Sequence, residues 1–275
     1  MRYVITVLAS TLLLMALGGC ANLDAVRTFG KTAALAPNTA DAGAAYHDSA
    51  LALAPYLAGP AVASQHPEIR ARQVRATLRL QDASTQYFAL LAKLAGEDAF
   101  ALDQQIDALG KGLDGLAQGD ADAAALNAGV SLGKILAKYV RLAAQGSAVR
   151  DLVLEGGPVA MRLTERLRAI IGDWKAQVEI DRSSVLDQIE TLAMARDAAP
   201  LLAQLARDRA AQLRREFATD LRRIDSADAA LERVQAAHGD LAANLSDLSG
   251  AQLRGLLKQA VADLRAAKAD VDASH

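Results

Sequence analysis

The side chains that do chemistry most often are sparse in this sequence and badly spaced for it. His47, His66, His238 and His275 are the only histidines, and none has a second histidine or a glutamate three or four residues away. One helix face presents paired metal ligands only at that spacing, so no metal site is expected. Tyr46-His47-Asp48 are adjacent, but neighbours on a helix point about 100° apart, so adjacency alone makes no acid–base pair. Asp120 with Asp122, and Glu179 with Asp181, stand two apart and diverge in the same way. There is no G-x-S-x-G elbow to expose a nucleophilic serine. Gly110-Lys111-Gly112-Leu113-Asp114-Gly115 matches G-x-G-x-x-G letter for letter. That fingerprint works as a turn between a strand and a helix, where glycines let the backbone approach a pyrophosphate. Here the preceding residues 99–109 read as polar helix, so no cofactor is expected. Gly129-Val130-Ser131-Leu132-Gly133-Lys134 is one residue short of a phosphate-binding loop and lacks the Ser or Thr after its lysine.

The remaining reactive group is Cys20, the only cysteine. It comes after a basic Arg2, an apolar run from Tyr3 to Leu17 and two small residues, Gly18 and Gly19, which is the order of a secretory signal. The run is shorter than the roughly 20 residues that a spanning helix needs. Leu17-Gly18-Gly19-Cys20 resembles the lipobox of bacterial lipoproteins. The resemblance implies cleavage between Gly19 and Cys20 and lipidation of the Cys20 thiol, which anchors the mature chain to a membrane. Ala21, where an aspartate would signal retention in the inner membrane, resembles outer-membrane cargo facing the periplasm. Several acyl chains make such an anchor stable where a single chain is marginal. The mature chain would hold no thiol for disulfides or metal.

Composition sets the class of the mature chain. The formal net charge is −2 with 30 basic and 32 acidic side chains, too balanced for a nucleic-acid binder. Aromatic residues make up 4% of the chain, which disfavours stacking platforms for bases or sugars. Alanine and leucine, strong helix formers, predominate with arginine and aspartate, and the chain is expected to be all-α. About 255 residues after the signal suffice for a real hydrophobic core.

Breakers and periodicities divide the chain into three parts. Residues 1–19 are the signal, 20–40 a lipidated tether with a short helix at 23–35, and 41–275 a helical bundle domain with a candidate sub-boundary at 156–158. A helix runs from about Thr39 to Leu57 before Gly59-Pro60, and another opens at Pro67, suited to the first helical position, and stops at Gly96. In the latter Ile69, Ala76, Leu80, Ala83, Tyr87, Leu91 and Leu94 form one stripe, and Arg72, Arg75 and Arg79 line another face. Glu97–Asp122 is acidic and glycine-rich, a fraying helix or a bend. Ala123–Gln145 is apolar but carries Lys134, Lys138 and Arg141 on one side, which argues for an amphipathic helix rather than a span. Gly156-Gly157-Pro158 reads as the end of one helix and the start of the next. Beyond it Leu163, Leu167, Ile170, Trp174, Val178, Val185, Ile189 and Leu192 make a seam into which Asp181 intrudes, with Ser184 and Asp187 placed to cap a restart. Pro200 interrupts the pattern before a stripe from Leu202 to Ile224. From Ala227 to Leu248 the stripe alternates four and three as in a coiled coil, with His238 inside it as a core or boundary residue and Gly239 as an interruption. A last helix covers about Ser249 to Val271. Seven to nine amphipathic helices are expected in an elongated arrangement.

Ala125, Gly129, Gly133 and Ala137 repeat every four residues, a seam of small residues that lets two helix backbones approach closely. Charge is unevenly placed: Glu97–Asp122 nets −6, while Arg196–Arg223 nets +3. With a membrane anchor and no catalytic constellation, the expected function is a non-enzymatic interaction or scaffolding lipoprotein with a protein partner in the envelope. The alternative is a membrane-active, pore-forming-like protein that inserts the hairpin around 123–145.

Overall fold

The computed structural model describes residues 23–56, 67–96, 123–140, 146–194, 199–247 and 250–272. These residues are helical almost throughout, and no β-strand occurs among them. A helical stretch over 23–35 leads into α1 (Thr39–Leu53) and a short 3₁₀ turn (Ala54–Tyr56). Then come α2 (Pro67–Leu94), α3 (Ala123–Tyr139), α4 (Gly146–Met194), α5 (Pro200–Ala243) and α6 (Ala251–Asp272). No described helix is long and apolar enough to cross a membrane.

Helix α4 is the axis of the fold. Its 49 residues extend about 73 Å at 1.5 Å per residue, and α1, α2, α3 and α5 all pack on it. The 44 residues of α5 return antiparallel to it, and α6 packs on α5. The apolar stripe of α4 (Val149, Leu152, Val153, Ala160, Leu163, Leu167, Ile171, Trp174, Val178, Val185, Ile189) is buried along nearly its whole length. Several element boundaries lie where the chain rules place them: α2 starts at Pro67, Gly96 comes after it with φ +106°, and α5 begins at Pro200.

Two expectations are corrected by the structure. First, Gly156-Gly157-Pro158 ends no helix, because α4 runs through it. Pro158 and Leu154 both lie on the exposed side, so the carbonyl that Pro158 cannot serve faces solvent. The glycines are buried, and a Cβ on Gly157 would lie 2.7 Å from the His238 ring, while one on Gly156 would lie 3.1 Å from the Tyr87 ring. They are there for close packing. Second, Ser184 caps no restart: its Oγ donates to the Ile180 carbonyl at 2.9 Å within a continuous helix. Gly239 likewise does not interrupt α5. The short helix expected at 23–35 is present, and it packs on the body. Val26 and Phe29 are buried, and Phe29 meets Phe88 edge-to-face at 5.8 Å. Gly30 makes that docking possible, since a Cβ there would stand 2.7 Å from the Phe88 carbonyl oxygen and 2.9 Å from the Ala92 nitrogen.

Two glycines therefore behave oppositely when replaced by alanine. At Gly30 the obstacle is backbone, so Gly30→Ala is expected to overpack and cost about 1–3 kcal/mol in urea-unfolding experiments. At Gly172, exposed mid-helix with nothing within 4 Å of a built Cβ, Gly172→Ala should stabilise by about 0.5–1 kcal/mol. Equal effects at the two sites would contradict the packing of 23–35 on α2.

Candidate functional site

The densest polar cluster is buried where α1, α2 and α4 meet. Arg70, from the first turn of α2, and Asp181, the residue that intrudes into the α4 seam, are both fully buried and pair end-on. Arg70 Nη1 donates to Asp181 Oδ2 at 2.5 Å and Nη2 to Oδ1 at 3.1 Å, the bidentate geometry of a charge-assisted pair. Ser49 Oγ, from α1, donates to the same Oδ2 at 2.8 Å and accepts from Arg70 Nη1 at 2.8 Å. Gln177 Nε2, one turn below Asp181, supplies Oδ1 with a further bond at 2.9 Å, and Arg70 Nη1 also reaches the Tyr46 carbonyl at 3.0 Å. The guanidinium lies 4.7 Å from the centre of the Tyr46 ring, which stacks on Trp174 at 5.3 Å and 8°. Within this cluster Arg70 Nε alone has no partner among the described residues. With every oxygen of Asp181 and Ser49 committed to the network, the cluster offers no activated nucleophile and acts as a positioning device.

Beside it a cleft of about 430 Å³ opens between α1 and α5, with Ser49 as the shared wall. Asp48, Glu216 and Asp220 contribute carboxylates to it, and Arg215 and Arg223 contribute guanidiniums. Burial, opposed by Arg223 and reinforced by Asp48 and Glu216, pushes the Asp220 carboxyl up to about 6. That carboxyl holds its proton well above the usual carboxylate range, and none of the described residues lining the cleft is a histidine. Among the described residues no group of three His, Cys, Asp or Glu is arranged to hold a metal ion.

A second polar pair lies lower in the body. The Tyr87 hydroxyl and His238 Nε2 share a hydrogen bond of 2.6 Å, both side chains buried against Gly156-Gly157. Burial drives the His238 pKa down to about 4 and the Tyr87 pKa up, so both are neutral in the folded protein. This is the core histidine that the seam around position 238 implies.

The structure brings together few of the residues singled out in the sequence. Gly19 and Cys20, the Gly110–Gly115 motif, the acidic stretch 97–122, Arg141, His66 and His275 lie outside the described residues. Ala125, Gly129 and Gly133 are buried on α3, whereas Ala137 is exposed. Four residues advance a helix by about 400°, so such a seam drifts by about 40° per step and leaves the buried face by its fourth member. Lys138 is exposed and pairs with Glu155 at 2.6 Å. His47 and Asp48, expected to diverge, do touch at 3.2 Å, as a surface pair. Arg70 has no distinguishing mark in the sequence beside Arg72, Arg75 and Arg79; the only signal for the buried cluster is an aspartate in an apolar seam. No known protein family, characterised protein or solved structure matches the chain.

Both buried pairs can be tested by unfolding. Asp181→Ala strands the buried Arg70 charge and should cost about 3–5 kcal/mol in urea unfolding, whereas adding Arg70→Met to Asp181→Leu should recover most of the loss. Additive losses in the double variant would contradict a coupled pair. For His238 the unfolded chain takes up a proton near 6.5 and the folded chain only near 4. Stability from this group is thus complete above pH 6.5 and declines as pH falls toward 4, by about 3 kcal/mol at 1.36 kcal/mol per pH unit. His238→Gln, which keeps an acceptor for Tyr87, should flatten that part of the stability–pH curve; an unchanged slope would mean that His238 is not held neutral.

Proposed function

We propose that the protein is a lipid-anchored helical lipoprotein of the outer membrane, facing the periplasm, that acts without catalysis as an interaction or scaffolding module. On this reading Cys20 carries the anchor. The chain as a whole is an elongated bundle of seven to nine helices with coiled-coil-like seams, and its partner is a protein of the envelope.

The observation that carries the reading is the far end of the α4–α5 hairpin. Leu192, Met194, Leu201, Leu202 and Leu205 lie within two turns of its tip on either arm, each 55–75% exposed. They are half of the large hydrophobic residues exposed among the described ones, gathered at one place. Scattered apolar surface is ordinary, but a gathered patch on a soluble face marks a contact site. The tip is also remote from the proposed anchor. Residues 23–35 pack beside Phe88, Ala92 and, across a surface cleft, Arg254 and Leu257, at the end of the body where Tyr87 meets Gly157. From Gly157 to Met194 α4 spans about 55 Å, so the arm points away from the lipidated end.

Replacing Cys20 with Ser should abolish incorporation of radioactive fatty acid and release the chain from the membrane fraction. A photo-crosslinking amino acid at position 202 should give a discrete adduct in envelopes, and one at exposed Glu165 on the body should not. A wild-type chain that takes up no label overturns the anchor, and adducts equally strong from both positions overturn the arm as the contact surface.

A further inference from the structure

We propose that the hairpin tip is a self-association surface: two copies of this chain pack tip against tip, the α4 arm of each along the α5 arm of the other. This rests on the reading of the protein as an interaction module and names the partner that the arm receives.

The seam itself shows what is missing. Within the body the α4–α5 groove is covered by α1: the Tyr46 ring stacks on Trp174, Ser49 bonds Asp181, and Ala52 shares a cleft wall with Leu213 and Phe217. Helix α1 ends at Leu53. The apolar periodicity of the two long helices does not end there. On α4 it continues through Val185 and Ile189, both buried, to Leu192, which is exposed. On α5 it passes from Leu213 and Ala210 to Leu202, again exposed. The next stretch of seam has the same chemistry as the covered part and no third helix over it among the described residues. From Thr191 to Ala206 the sequence has only Arg196 and Asp197 as charges. A surface built for water would not continue a core pattern.

Charge selects the occupant. The α4 arm from Ser183 to Met194 carries Asp187 and Glu190 and no basic residue. The α5 arm from Pro200 to Glu216 carries Arg207, Arg209, Arg214 and Arg215 against Asp208 and Glu216, a net +2, with Arg209 facing Glu216 at 3.8 Å. One hairpin already uses this opposition internally, where Arg214 bonds Glu190. A partner that presents both an acidic and a basic arm with an apolar stripe between them is another copy of the same hairpin. A two-fold axis through the tips brings acidic arm to basic arm twice, in identical contacts, as an isologous interface requires. Interfaces of this kind combine an apolar centre with charge pairs at the rim that set register and partner choice.

Sedimentation equilibrium of the full chain in mild detergent tests this directly. The wild type is expected to approach twice its single-chain mass as concentration rises. Leu202→Asp with Leu205→Asp should sediment as a single chain while its circular dichroism and melting temperature stay unchanged. Asp187→Lys with Glu190→Lys makes both arms basic, and Arg207→Glu with Arg209→Glu reverses the basic arm near the tip. Each variant alone should lose the dimer, and an equimolar mixture of the two should restore it, since each copy then offers an arm complementary to the other's. A wild type that stays monomeric, a dimer untouched by the leucine variant, or a mixture that remains monomeric overturns the proposal. A monomer in which an environment-sensitive dye at Leu202→Cys shifts blue on phosphatidylglycerol vesicles overturns it in favour of a lipid surface. If the chain is monomeric but position 202 still crosslinks to a protein of different mass, self-association fails and the interaction module stands; with no adduct either, both fail.

Discussion

The alignment of the helices depends on one buried ion pair. Taking a guanidinium and a carboxylate out of water costs several kcal/mol per ion, and only excellent geometry with the remaining lone pairs satisfied offsets it. Arg70 and Asp181 meet that condition through a bidentate contact, with Ser49, Gln177 and the Tyr46 carbonyl completing the shell. Such a pair adds little net stability compared with apolar residues of the same shape, but it penalises every other register. Sliding α1 or α2 by one turn along α4 would bury a charge without its partner. In a body of alanine and leucine stripes, which pack almost equally well at several registers, that penalty decides how three helices line up.

The Tyr87–His238 pair does the same at a second height. It lies about 36 Å down α4 from Asp181, taking Gly157 as its level. Its two rings press onto the backbone at Gly156 and Gly157, where a Cβ on Gly157 would overlap the His238 ring and one on Gly156 would crowd Tyr87. Helix α4 is thereby pegged at both levels, with apolar packing between, and Pro158 is tolerated because this packing spans it on both sides. Neutral hydrogen bonding suits the lower site: with one ring held below its ordinary pKa and the other above, neither introduces a charge that would need a counter-ion.

Above the upper peg α1 still reaches Leu213 and Phe217 through Ala52, and beyond its end at Leu53 no further helix among the described residues covers the exposed leucines of the two long helices. The structural division that matters for function is thus between a body where α4 is surrounded and an arm where it is not. No boundary in the chain marks this division, because α4 and α5 cross it without a break. A long helical arm with an apolar, charge-patterned end and a body pegged in register suit a module that holds a partner at a distance, which is the reading proposed for the protein. The cleft beside Ser49 sits at the junction, and burial of its Asp220 carboxyl, pushed up to about 6, makes it sensitive to protonation there.

The helical class, the start of α2 at Pro67, its stop at Gly96, the start of α5 at Pro200 and the burial of His238 were all legible in the sequence. Each comes from rules acting within a turn or two: the ring of proline, the missing Cβ of glycine, the 3.6-residue repeat of apolar side chains. The partners of Asp181 were not legible, since Arg70 is 111 residues away and shares its helix with three arginines of the same type that face solvent. Neither was the purpose of Gly156-Gly157, which local rules assign to a helix end and which packing assigns to two rings arriving from α2 and α5. Ala137 shows the same limit in miniature: a four-residue spacing is visible in the chain, but the face it occupies depends on how far the helix has turned relative to its neighbours. Local backbone chemistry is short-ranged and is carried by the sequence itself. Which buried polar groups meet is set by how the helices cross, and only the tertiary structure decides that.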